Sequence, residues 1–208
     1  MRTFCRTLFI AAAGMAAAAT GGAATAPSAT AFLEGHDARV RAVVLALPSD
    51  SLSATDRDRV RALINEAFDF RELARLSLGE YWDVRSDEER NEFTRVLRGI
   101  IETRNFDTFI RYHREGRIRY TGEEVGADGR AVVHAQVPLK SETKQIAYYL
   151  HHPQGQSAST WQIYDLAIDG AATAEGNRRT YTRFIARHSY AELIERLRQQ
   201  LAGLDSRG

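Results

Sequence analysis

The chain has 208 residues, with 28 basic against 27 acidic side chains and a formal net charge of +1. That balance argues against a non-specific nucleic-acid binder, which needs a strongly positive field. The single cysteine, Cys5, leaves the body of the chain without disulfides, cysteine metal sites or thiolate catalysis.

In chain order, Arg2 and Arg6 give a short basic start, and Thr7 to Ala19 follow without a charge. Such a run is too short for a bilayer span and suits the apolar region of a signal peptide. Cys5 precedes that run, so it is not a lipoprotein acylation site. Two small-residue cleavage motifs follow, Ala24-Thr25-Ala26 and Ala29-Thr30-Ala31. Pro27 hinders a cut after Ala26, which favours a cut after Ala31 and a mature chain beginning at Phe32. Removing residues 1–31 removes Arg2 and Arg6 and no acid, leaving 26 basic against 27 acidic residues, a net charge near −1. The remaining 177 residues suit one domain. No other segment approaches the length of a membrane span, so an exported, soluble, periplasmic protein is expected.

The next region reads as helical, over 36–115. Ser53 to Asp58 supply cap residues, and Val60, Leu63, Ile64, Ala67 and Phe68 recur at helical spacing. Asp69 to Leu78 continue as a second short helix with Gly79 as its stop. Ser86-Asp87-Glu88-Glu89 is a capping box opening a long helix. Phe93, Val96, Leu97, Ile100 and Ile101 share one of its faces, and Phe106, Phe109, Ile110 and Tyr112 carry the apolar surface onward. Unbroken from 87 to 112, it would reach about 40 Å.

After Gly116 the period changes. Strand-like runs occupy 117–124, 130–139, 143–152 and 160–169, linked by Gly126-Ala127-Asp128-Gly129, Ser141-Glu142 and Pro153-Gln154-Gly155-Gln156. Short links imply an antiparallel meander within 117–169. Ala131, Val133, Ala135, Val137 and Leu139 share one face of the second run, and Ile146, Tyr148 and Leu150 one face of the third. The fourth is apolar on both faces and should be covered on both sides. Helices return over 172–202, around Tyr181, Phe184 and Ile185, then after a second capping box at Ser189-Tyr190-Ala191-Glu192. The expected fold is α+β: a curved antiparallel sheet of four strands or slightly more, wrapped by helices into a cone with an apolar interior.

These residues resemble a known family. Phe68-Asp69-Phe70-Arg71-Glu72-Leu73-Ala74-Arg75-Leu76-Ser77-Leu78-Gly79-Glu80-Tyr81-Trp82 is similar to the DF…LA…LG..W segment of the MlaC (toluene-tolerance) family. Phe93, the run Trp161-Gln162-Ile163-Tyr164-Asp165-Leu166-Ala167-Ile168-Asp169-Gly170, and Arg178 with Tyr181 resemble further family elements, in order, across roughly residues 36–202. Ala172 and Asn177 depart from the family's usual Ser and Tyr, which leaves open a lipid other than a common glycerophospholipid, a hopanoid among them.

The resemblance implies an NTF2-like cone with an added helical part that binds phospholipid acyl chains. It implies a monomer moving between an outer-membrane lipoprotein–porin complex and the MCE-domain subunit of an inner-membrane ABC transporter. Contact with the membranes would be transient. No cofactor, metal or nucleic acid is implied beyond the carried lipid, and no enzymatic activity. Burying one methylene is worth about 0.8 kcal/mol, so leaving four wet costs about 3 kcal/mol. A carrier therefore encloses the tails almost wholly, in an apolar lining without a charged cluster at its base. The expected lining is Val133, Ala135, Val137, Ile146, Tyr148, Leu150, Trp161, Ile163, Tyr164 and Leu166 from strands, Phe93, Val96, Leu97, Ile100 and Phe109 from the long helix, and Phe184 from a later one. Arg178, Arg179 and Arg183 are candidates for head-group or partner contacts.

Two other readings compete. Asp165, placed on a face with Ile163 and Ala167, is either the base of an isomerase-like enzyme with a burial-raised pKa or a hydrogen-bonded structural carboxylate. The resemblance favours the second. His113, His134, His151 and His152 lack obvious ligand spacing and read as surface histidines.

Overall fold

The structure, a computed structural model, describes residues 27–48, 51–153 and 160–206. The apolar N-terminal run, Ser49-Asp50 and Gln154 to Gln156 of the expected loop lie outside the described residues. No described helix is long and apolar enough to cross a membrane.

Four helices come first: α1 (Ala29–Ala46), α2 (Ala54–Asn65), α3 (Phe70–Leu78) and α4 (Asp87–Glu115). Each begins at a side-chain cap that the sequence supplies. Ser28 accepts from Ala31 N at 3.1 Å, Ser53 from Asp56 N at 3.1 Å, and Asp69 from Glu72 N at 2.9 Å. At α4 the capping box is complete: Ser86 accepts from Glu89 N, and the Glu89 carboxylate accepts from Ser86 N. Gly79 ends α3 at φ +56°, a region that disfavours residues with a Cβ, before a 3₁₀ turn over Gly79–Tyr81.

The strands are β1 (Arg119–Val125), β2 (Ala131–Pro138), β3 (Thr143–His151), β4 (Gln162–Ile168) and the two-residue β5 (Ala171–Ala172), hydrogen-bonded in chain order and antiparallel throughout. The sheet is curled and open. Helices α5 (Thr173–Arg187) and α6 (Tyr190–Asp205) complete the α+β fold.

Two features depart from expectation. The first is α1, which begins at Ala29. Trp161 Nε1 donates to Pro27 O at 2.9 Å, and the Glu123 carboxylate accepts from Ala29 N at 3.2 Å and Thr30 N at 3.0 Å. Ala29 itself is fully buried. Residues 27–31, which a cut after Ala31 would remove, are thus built into the fold. The second is an irregularity where Tyr149 pairs with Asp165 and Leu150 with Ile163, leaving Tyr164 as the extra residue. It puts Ile163 and Leu166 together in the concave core with Leu150 and Tyr148, so Asp165 does not share a face with Ile163.

The interior divides in three. Ala131, Val133, Ala135 and Val137 of β2 pack with β3, β4, Leu33 and Tyr112 on the concave sheet face. Phe93, Val96, Leu97 and Ile100 pack instead with α3, α5 and α6, Phe93 meeting Tyr181 edge to face at 5.9 Å. Phe106 and Ile110 pack with Val40 and Val44 of α1 and Val60 and Ile64 of α2. Helix α4 is the shared axis: its first half serves one core and its second half the others.

Candidate functional site

The third core is not filled solid. Where the ends of α2 and α3 face the second half of α4, a narrow apolar slot with a cavity volume of about 50 Å³ runs inward. Its walls are Ile64 from α2, Phe68, Phe70 and Leu73 from the α3 region, Ile101, Phe106 and Phe109 from α4, and Leu166 from β4. A second small cavity, a chamber of about 30 Å³, lies beside it, walled by Leu33, Val40, Ile118, Tyr148 and Ile163 among others. Ile64, Phe68 and Phe109 line both spaces, so the two meet at these three side chains. Phe68 is held there by backbone: Ile163 N donates to Ala67 O at 2.7 Å, and Asp69 N to Ile163 O at 2.8 Å.

The slot's rim is polar. Arg61, Asn65, Glu102 and Asn105 stand around it, with Asn65 Nδ2 donating to Glu102 Oε1 at 2.6 Å. Arg61 pairs with Asp58 at 2.9 Å and lies over the Phe106 ring at 5.5 Å, and its Nε faces Glu102 Oε2 at 3.9 Å, an ion pair longer than a hydrogen bond. It puts a cation at the mouth of an apolar space.

Asp165 also borders the slot. Its Oδ1 accepts from Leu166 N at 2.8 Å and Ala174 N at 3.0 Å. The second bond caps α5, whose own N-cap residue, Ala172, has no side-chain oxygen to offer. Burial raises the Asp165 pKa, and the backbone donors of Ala174, Leu166 and Thr173 oppose the rise. Both bonds fall on one oxygen, Oδ1, and tie β4 to the start of α5.

Of the residues expected to line an acyl-chain cavity, Phe109 and Leu166 border the slot, and Phe109, Tyr148 and Ile163 the chamber. Val133, Ala135, Val137, Ile146, Leu150 and Trp161 lie in the packed sheet core, and Phe93, Val96, Leu97 and Ile100 in the α3–α5–α6 core. Tyr164 stands under the Arg130 guanidinium, 4.8 Å from its ring centre. Phe184 and Arg183 line a separate groove between α5 and α6. Arg178 lays its stem over Gly79, and Arg179 pairs with Glu175 at 3.9 Å. None of the three arginines lines the slot or the chamber.

Two further corrections concern polar groups. His113 is not a surface residue but is buried, 7% exposed, and His151 is bound to Asp69 at 3.0 Å. The chamber is not free of charge: His36, Asp37 and His113 line it beside its apolar walls. Burial chiefly lowers the His36 pKa, which keeps that ring neutral in an apolar setting. Among the described residues no group of three or more His, Cys, Asp or Glu is placed to hold a metal ion.

Comparison with known proteins agrees with this architecture. A solved structure of a phospholipid-binding protein from Ralstonia solanacearum, in complex with a phospholipid, superposes with a TM-score of 0.73. It is 18% identical and covers 86% of this chain and 99% of that one, a likeness that establishes the fold. No curated protein matches the chain. The family model described as MlaC protein matches residues 40–199, from the middle of α1 to α6, and the chain therefore belongs to the MlaC family.

Proposed function

We propose that the protein is a periplasmic carrier of phospholipid. The observation that carries this reading is the pair of adjoining apolar spaces, slot and chamber, behind a polar rim. Acyl chains fit the energetics of such a space, since each enclosed methylene contributes about 0.8 kcal/mol. The head group stays at the mouth, where Arg61 offers a guanidinium to the phosphate. The Ralstonia protein of like fold binds a phospholipid, which supports the same ligand class here.

On this reading the protein is exported by its N-terminal segment. It passes lipid between an outer-membrane lipoprotein–porin complex and the MCE-domain subunit of an inner-membrane ABC transporter, and performs no chemistry. The two backbone donors on Asp165 Oδ1 give that carboxylate a structural task at the start of α5, which supports a carrier over an isomerase-like enzyme. The test is the lipid content of the purified protein and of Arg61→Ala. Wild type should carry phospholipid, and the variant should retain the fold and lose lipid to acceptor vesicles faster. Equal transfer rates would remove Arg61 from the site, and lipid-free wild type would remove the carrier reading.

A further inference from the structure

The polar end of the chamber has no part in binding plain hydrocarbon. His113, in the last turn of α4, has a side chain only 8% exposed. Its Nδ1 lies 2.8 Å from the Phe109 carbonyl oxygen. A carbonyl only accepts, so Nδ1 carries a proton, and in that tautomer of the neutral ring Nε2 is bare. That Nε2 has no hydrogen-bond partner among the described residues. The carboxylate oxygen facing it, Asp37 Oδ1, is 3.6 Å away, beyond hydrogen-bond length. Asp37 Oδ2 is already used, accepting from the Tyr120 hydroxyl. Tyr148 lines the same chamber with its hydroxyl-bearing ring. Burial first, and then the nearby Asp37 charge, hold the Tyr148 pKa far up, so its hydroxyl remains a donor.

His113 Nε2 and Asp37 Oδ1 as acceptors and the Tyr148 hydroxyl as donor therefore border one small, mostly apolar space, together with His36 and Tyr112. A methyl-ended chain would leave the buried Nε2 unpaired. A carboxylate would face the Asp37 charge, and a carbonyl would serve the donor alone. A hydroxyl donates to Nε2 or Asp37 and accepts from Tyr148. We propose that the chamber is a binding site for a lipid chain that carries a hydroxyl group, with His113, Asp37 and Tyr148 as the residues that select it. The proposal rests on the reading of the cavity as a lipid site.

The test uses delipidated full-length protein. Hexadecanoic acid and its terminally hydroxylated analogue compete against a bound fluorescent fatty acid, in wild type and in His113→Phe. In wild type the hydroxylated chain should compete at least as well as the plain one. In the variant it should fall by about tenfold or more relative to the plain chain, a change of about 1.4 kcal/mol. If wild type rejects the hydroxyl as strongly as the variant does, the polar end holds only water and the proposal fails. If neither acid displaces the probe from wild type, the lipid reading fails with it, whereas plain-chain binding without hydroxyl preference leaves that reading standing. Should His113→Phe not fold, Asp37→Asn keeps an acceptor for Tyr120 while weakening the acceptor pair. The ¹⁵N resonance of His113 Nε2 then reads the site directly in wild type. It should move from the bare-nitrogen position on adding the hydroxylated chain, and an unmoved resonance overturns the proposal.

Discussion

Asp165 accepts two backbone N–H groups, from Leu166 and Ala174, with one oxygen, and so secures the start of α5 from a neighbouring strand. Its pKa is raised, with burial the leading cause. The sign follows by linkage: a carboxyl raised in the folded state contributes stability that is fully present below its unfolded pKa, near 4, and lost as pH rises through its folded value. Asp165→Asn keeps an acceptor oxygen and removes the titration. It should leave fold and bound lipid intact and flatten the dependence of stability on pH above about 4. Asp165→Ala strands the α5 donors and should cost about 1–2 kcal/mol in denaturant unfolding. Turnover of a small substrate that disappears in the Asn variant, with fold and lipid unchanged, would establish an enzyme instead. The sequence made a carboxylate within an apolar strand legible but not its face, because the β3–β4 irregularity shifts the alternation at Tyr164. His113 was more accessible than it looked: Phe106, Ile110 and His113 recur three and four residues apart, the spacing of one helical face.

Among the elements, caps were the most legible signals, since Ser53, Asp69, Ser86 and Ser189 all accept at the helix starts where their side chains predict it. Long apolar periodicity was less informative. Phe93 to Ile100 and Phe106 to Ile110 read as one continuing surface, yet they serve different cores, because α4 outruns the layer that covers its first half. A pattern of apolar residues says that a face is covered, not whether packed side chains or a cavity covers it. The beginning of α1 was obscured by its small residues, which match a cleavage motif as well as a helix start. Ser28, Ala29 and the Pro27 carbonyl all make contacts that depend on residues 27–31 remaining in place. N-terminal sequencing of protein recovered from the periplasm should therefore find a first residue at or before Pro27. A chain beginning at Phe32, fully folded, would show that the first turn of α1 is dispensable.

For the molecule as a whole, the distinction between core and cavity is a matter of which substitution displaces what. Ala135 is 1% exposed and pairs with Ile146 inside the packed sheet core. Ala135→Trp is overpacking there and should cost about 1–3 kcal/mol or more, whatever the lipid content. Ile64 lines both slot and chamber, so Ile64→Trp projects into space that acyl chains would occupy. Its delipidated form should unfold at a denaturant midpoint closer to wild type than Ala135→Trp does, while its bound lipid falls sharply. Delipidated proteins are needed for that comparison, since a ligand bound only to the folded state raises apparent stability by mass action. The most direct measurement is organic extraction of the purified wild-type protein followed by mass spectrometry and phosphorus assay. The account predicts phospholipid in a fixed ratio of order one molecule per chain, reduced in Ile64→Trp and unchanged in Asp165→Asn. Protein purified from a phospholipid-rich host, fully folded and free of lipid, would contradict it.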